Sequence, residues 1–119
     1  LASELAGKTE NVGSFNAVLA EVPIGNPKEI LAIAKQVQAT SGASVVLAGA
    51  DAGSGKVGMV ALLTSEDATK ASARELIADA APKIGGGGGG SDEMAQAGGK
   101  NAGGVADALA AARQHLENR

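Results

Sequence analysis

Apolar positions along the chain recur with two periods, and the switches between them mark the elements. Leu1 and Leu5 stand four apart, which suits the end of a helix over Leu1–Ala6. Lys8 to Ser14 is polar, follows Gly7 and contains Gly13, and reads as a connection. Phe15–Val22, rich in Val and Leu, predicts a strand ended by Pro23 and Gly25. Asn26-Pro27-Lys28-Glu29 is the clearest helix start: Asn26 caps, Pro27 suits the first helical position, and Glu29 reaches back to complete a capping box. Ile30, Leu31, Ala34 and Val37 then share one face of a helix that ends near Gly42.

Ser44–Ala50 predicts a buried strand and Val57–Leu63 the next, joined into a hairpin by the glycine-bearing turn Asp51–Lys56. A second helix is expected over about Asp67–Ala81, with Ala73, Leu76, Ile77 and Ala80 at helical spacing. Thr64, Ser65 and Asp67 are each able to cap it, and Pro82 ends it. Met94–Ala97 predicts a short edge strand, and Asn101–Asn118 a last helix with Val105, Ala108, Leu109, Ala112 and Leu116 on one face. The order β-α-β-β-α-β-α, with no internal repeat, predicts an α/β (α+β) domain: a mixed sheet with its helices mainly on one face.

The 119 residues suffice for one compact domain and not two. Residues 1–10 are assigned to the end of an upstream helix and its connection, and residues 11–119 to the globular domain. Because the chain opens in mid-helix, it is expected to be a fragment. Hydrophobic residues make up 45%, yet Phe15 is the only aromatic, so the core must be built from small aliphatic side chains. With no cysteine and one histidine, neither a disulfide, a thiolate site nor a protein-built zinc site is expected. A net charge of −3 argues against nonspecific, charge-driven nucleic-acid binding. No stretch approaches the roughly 18 apolar residues of a membrane helix and no signal-peptide pattern opens the chain, so a cytoplasmic location is expected.

Two glycine patterns mimic nucleotide-binding motifs. Gly53-x-Gly55-x-x-Gly58 matches the dinucleotide fingerprint on paper, but a strand follows it where a helix should open. Gly49–Lys56 resembles a P-loop, but its spacing is one residue too long and Val57 stands in place of the metal-binding hydroxyl. Both read as hairpin chemistry. His115, near the end of the last helix, reads as a surface histidine. Glu66-Asp67 suits a helix N-terminus, whereas Asp92-Glu93 lies near the third and longest glycine tract and is able to accept from sugar hydroxyls or base edges.

That tract, Gly85, Gly86, Gly87, Gly88, Gly89 and Gly90, is followed by Ser91, Asp92 and Glu93, then by Met94-Ala95-Gln96-Ala97-Gly98-Gly99. Such a run reads either as a flexible linker or as a loop that lets main-chain N–H groups approach a ligand. Residues 91–119 are too few to bury a core of their own, which places the glycines inside one domain, between a helix and a strand. Lys83, Lys100 and Lys70 bracket the tract and read either as solvated lysines or as phosphate contacts. The Gln96 amide suits a base edge or the loop's own backbone equally well.

Residues 84–99 resemble the C-terminal signature of alanyl-tRNA synthetases, the glycine-rich motif of the DHHA1-type domain, shared more loosely with DHH phosphoesterases. In that family a basic residue and often a proline follow the glycines; Ser91 and Asp92 stand there in this chain. The resemblance implies a parent enzyme that joins alanine to its tRNA, using ATP, magnesium and zinc in other domains, with a separate editing domain. It implies that this domain contacts the elbow of alanine-specific tRNA, helps couple aminoacylation with editing, and shares in homodimer formation through upstream helices. No catalytic residue, metal ligand or cofactor is expected in the fragment itself. Residues 83–100 are expected to face the RNA, namely Lys83, Gly85–Gly90, Ser91, Gln96, Gly98, Gly99 and Lys100. Valine at Gly87 and Gly88 is expected to abolish binding while the domain still folds. Two alternatives belong to other classes: the substrate-binding half of a DHH-type phosphoesterase acting on oligonucleotides, and a pure oligomerisation module.

Overall fold

A computed structural model describes residues 2–51 and 53–118. A short helix α1 (Ala2–Ala6) leads into strands β1 (Glu10–Val12) and β2 (Phe15–Val22), then helix α2 (Pro27–Ser41). Strands β3 (Ser44–Ala50) and β4 (Val57–Leu62) precede helix α3 (Ala73–Ala80). Strands β5 (Gly87–Gly90) and β6 (Met94–Gly99) precede the closing helix α4 (Val105–Glu117). The strands form one sheet in the order β1-β2-β3-β4-β6-β5. Only β2 and β3 run parallel, joined by α2 as the crossover; the other neighbours are antiparallel. The expected mixed sheet is present.

The helices divide between the two faces of that sheet, which corrects the expectation of one face. Val18, Val45, Leu47 and Val60 pack with α2 (Ile30, Ala34, Val37) and with Leu5 of α1. Val46, Ala48, Met59 and Ala61 point the other way, onto α3 (Leu76, Ile77) and α4 (Ala108, Ala112, Leu116). Every residue of β4 and all but the last of β3 are buried, so these strands read as unbroken apolar runs, as a sheet covered on both faces requires.

Two strands replace expected loops. Glu10–Val12, expected as connection, pairs with Phe15–Ala17 across a two-residue turn at Gly13-Ser14, where Gly13 adopts φ 62°. Arg113 of α4 donates to Glu10 on this edge, and that bond raises the guanidinium pKa further above its usual value. Gly87–Gly90 is a strand rather than a loop, and it takes the sheet edge expected for Met94–Ala97.

Helix ends follow side-chain chemistry. Asn26 accepts from the Lys28 N–H at 2.9 Å, and Gly42 closes α2 at φ 70°. The second helix begins at Ala73, capped by Ser72 and not by Thr64, Ser65 or Asp67. Asp67 is engaged elsewhere, accepting from Ser44 Oγ at 2.5 Å. Pro82 does not stop the chain turning; a 3-10 turn, Ala81–Ile84, carries it on to Gly85. The third glycine of the false dinucleotide motif has a packing role: a Cβ on Gly58 would lie 2.5 Å from the Gly25 carbonyl.

Candidate nucleic-acid interface

The glycine hairpin is built from its ends inward. Gly85 closes the 3-10 turn at φ 71°, a left-handed cap that a side chain would strain. Gly86 donates back to Ala81 O, and the chain then runs as β5 along β6, with Gly87 opposite Gly98, Gly88 opposite Ala97 and Gly89 opposite Gln96. Ser91 turns the hairpin: its N–H donates to Met94 O at 2.7 Å and its hydroxyl accepts from the Met94 N–H at 3.2 Å.

The same turn caps α3. Asp92 O accepts from Ala73 N–H at 2.9 Å and Ser91 O from Arg74 N–H at 3.1 Å. The Asp92 carboxylate takes the Ser72 hydroxyl at 2.7 Å and pairs loosely with Arg74 at 3.8 Å. Three donors at the start of a helix are thus engaged by one loop. Ser91 and Asp92 both serve this junction.

The glycines do two different things. A Cβ on Gly86, Gly88 or Gly90 would stand 1.7, 2.0 or 2.3 Å from a β6 carbonyl oxygen, so these positions lie against the neighbouring strand and exclude any side chain. Gly87 and Gly89 would meet nothing within 4 Å. All four β5 glycines are exposed, and β5 pairs with no strand but β6. Valine at Gly88 would therefore break the hairpin, which corrects the expectation that the fold tolerates it.

A groove of about 470 Å³ opens on the α2 side of this hairpin. It is lined by Gly87, Gln96, Ala97 and Gly98, by Asn26, Pro27 and Lys28 at the start of α2, and by Lys56 from the β3–β4 turn. Of the residues expected to face RNA, it gathers Gly87, Gln96 and Gly98. Others lie elsewhere. Lys83 borders a cleft of about 490 Å³ between α3 and α4, with Asp79 and His115. The Lys100 N–H is spent on Ile84 O, and its side chain is exposed. A Cβ on Gly99 would stand 2.1 Å from Ile84 O. Lys70 is exposed beside the turn before α3.

Sequence reasoning missed Lys28 and Lys56, which lie far from the glycines along the chain and reach them only through the β3–β4–β6 pairing. It also misplaced His115, which is 6% exposed, with Nδ1 2.9 Å from an Asp79 carboxylate oxygen. The signal was available: Val105, Ala108, Ala112 and His115 fall at helical spacing on the buried face. Among the described residues, no cluster of three or more His, Asp and Glu side chains is arranged to hold a metal ion.

A glycine hairpin on a mixed sheet, with helices on both faces, defines a recognisable class. The DHHA1 domain family profile matches residues 14–118, and the chain belongs to that family. Within it, the similarity extends across the chain to alanyl-tRNA synthetases and their C-terminal domain. The C-Ala domain of the Aquifex aeolicus alanyl-tRNA synthetase superposes with a TM-score of 0.80 at 27% identity, covering 92% of this chain and 98% of that one. The alanine–tRNA ligase of Latilactobacillus sakei is 41% identical over 97% of this chain, and that of Geobacillus thermodenitrificans 35% identical over 91%. The chain spans only 14% and 12% of those two relatives. RecJ from Thermus thermophilus shares the fold, with a TM-score of 0.66 at 16% identity.

Proposed function

We propose that this chain is the tRNA-contacting C-terminal domain of an alanine–tRNA ligase. It binds the elbow of alanine-specific tRNA and so helps one tRNA engage both the aminoacylation and the editing sites of the intact enzyme. ATP, magnesium and zinc belong to other parts of that cytoplasmic enzyme, and helices upstream of the globular domain contribute to a homodimer. The observation that carries the reading is the glycine strand. It forms an exposed sheet edge with two positions, Gly87 and Gly89, where bare backbone faces open space. Such a surface lets RNA approach the main chain closely and be recognised by shape, which suits an acidic domain with no aromatic stacking platform.

The test is a salt-series titration of this chain with alanine tRNA and with the same tRNA lacking its elbow. Elbow-dependent binding with a shallow salt slope is expected. Equal affinity for the two RNAs, or no binding at low salt, would refute the elbow contact.

A further inference from the structure

Charge at the groove runs against that of the chain. The protein carries a net charge of −3, yet the charged side chains lining the groove are Lys28 and Lys56, with no carboxylate among them. Lys28 sits in the first turn of α2, where the helix dipole disfavours a cation. Neither ammonium group has an ion-pair partner among the described residues. The cleft at Lys83 also holds Asp79, and Lys56 borders a second cleft with Glu29 and Asp51, so Lys28 is the lysine of the groove with no carboxylate lining a cleft beside it.

Between the two lysines and the hairpin the floor is bare peptide. Gly87 lies opposite Gly98; a Cβ on the first would meet nothing within 4 Å, and on the second only Val57 O at 3.8 Å. Beside this floor, Gln96 Oε1 is buried and has no hydrogen-bond partner among the described residues. A buried acceptor left unpaired is unfavourable until a donor reaches it. Gln96 lines the groove, and its last side-chain torsion is soft, so the amide is free to reorient.

Resting on the tRNA reading, we propose that RNA enters on the α2 side of the glycine hairpin. Lys28 and Lys56 hold phosphates flanking one unpaired nucleotide, its base lies on the peptide surface of Gly87 and Gly98, and Gln96 accepts a hydrogen bond from the base edge. Lys83 and Lys100, which flank the glycines in sequence, make no phosphate contact.

The experiment measures alanine tRNA binding by fluorescence anisotropy across a potassium chloride series. It compares the wild-type chain, Lys28→Ala/Lys56→Ala, Lys83→Ala/Lys100→Ala and Gln96→Leu, with circular dichroism confirming each fold. Losing two phosphate contacts is expected to weaken binding about tenfold or more at low salt and to flatten the log–log salt slope by roughly 1.5–2. The Lys83/Lys100 variant is expected to bind as wild type. Gln96→Leu is expected to weaken binding about tenfold with the slope unchanged, because a base contact releases no counterions. Wild-type slope and affinity in the Lys28/Lys56 variant, or loss confined to the Lys83/Lys100 variant, would overturn the inference while leaving tRNA binding intact. Failure of the wild-type chain to bind would overturn both.

Discussion

Gly87 and Gly88 are neighbours of identical chemistry, and the fold predicts opposite responses to the same methyl group. A Cβ on Gly88 would fall 2.0 Å from Gln96 O and 2.6 Å from Ala97 Cα, whereas one on Gly87 meets nothing within 4 Å. Ordinary carbon contacts lie at about 3.5–4.0 Å, so Gly88→Ala must push β5 off β6 by more than an ångström. Both obstructing atoms are backbone within the paired strand and cannot swing aside. Overpacking of this kind costs about 2–3 kcal/mol, which for a domain of this size lowers Tm by roughly 6–15 °C. Gly87→Ala should stay within about 0.5 kcal/mol, a Tm change of about 2 °C or less. Neither residue has positive φ, so backbone conformation does not confuse the comparison. Thermal unfolding by far-ultraviolet circular dichroism, reported alongside tRNA affinity at 25 °C, separates the two effects. Gly87→Val should keep its Tm and lose tRNA affinity. A Gly88→Ala protein melting within about 2 °C of wild type would refute the claim that close approach to β6 requires glycine there.

Further outcomes follow from named contacts. Asp92→Ala removes the acceptor of the Ser72 hydroxyl and should cost about 1 kcal/mol, seen as a lower denaturant midpoint with unchanged m-value. Ile30→Ala empties a fully buried position between α2 and the sheet and should cost about 2–5 kcal/mol in the same assay. His115→Ala leaves a void between α3 and α4 and removes the contact with Asp79, so it should lower Tm, whereas a surface histidine would leave Tm unmoved.

The central part of the fold was legible in the sequence because local chemistry and tertiary packing agree there. Asn26, Pro27 and Gly42 bound α2 as their side chains dictate, and the β3–β4 hairpin stands where its apolar runs and glycine turn predict. The two-faced burial of β3 and β4 was written in the same runs, since Val45-Val46-Leu47-Ala48 shows none of the alternation of a one-sided sheet. Other features had no local signal. Gly87–Gly90 has low intrinsic strand preference, and pairing with β6 overrides it. Ser72 caps α3 because Asp92, twenty residues on, supports its hydroxyl. Of the candidate site, the glycine motif was visible as a string, but its division into positions that touch β6 and positions that face outward exists only in three dimensions. Lys28 and Lys56 reach the groove through long-range strand pairing that no motif spacing encodes.

The turn that joins Ser91 to Met94 also holds the first amides of α3, and this ties together two segments whose intrinsic stabilities differ widely. A four-glycine edge strand on its own should fray, and the amides of a well-packed helix should resist hydrogen exchange. Here β5 cannot lift from the sheet without releasing Ala73 and Arg74 N–H, so strand and helix start must open as one cooperative unit. Exchange protection at Gly89, whose pair with Gln96 is in phase with the Ser91–Met94 hydrogen bond, should therefore match that of the first turn of α3 and rise in step with it when RNA binds.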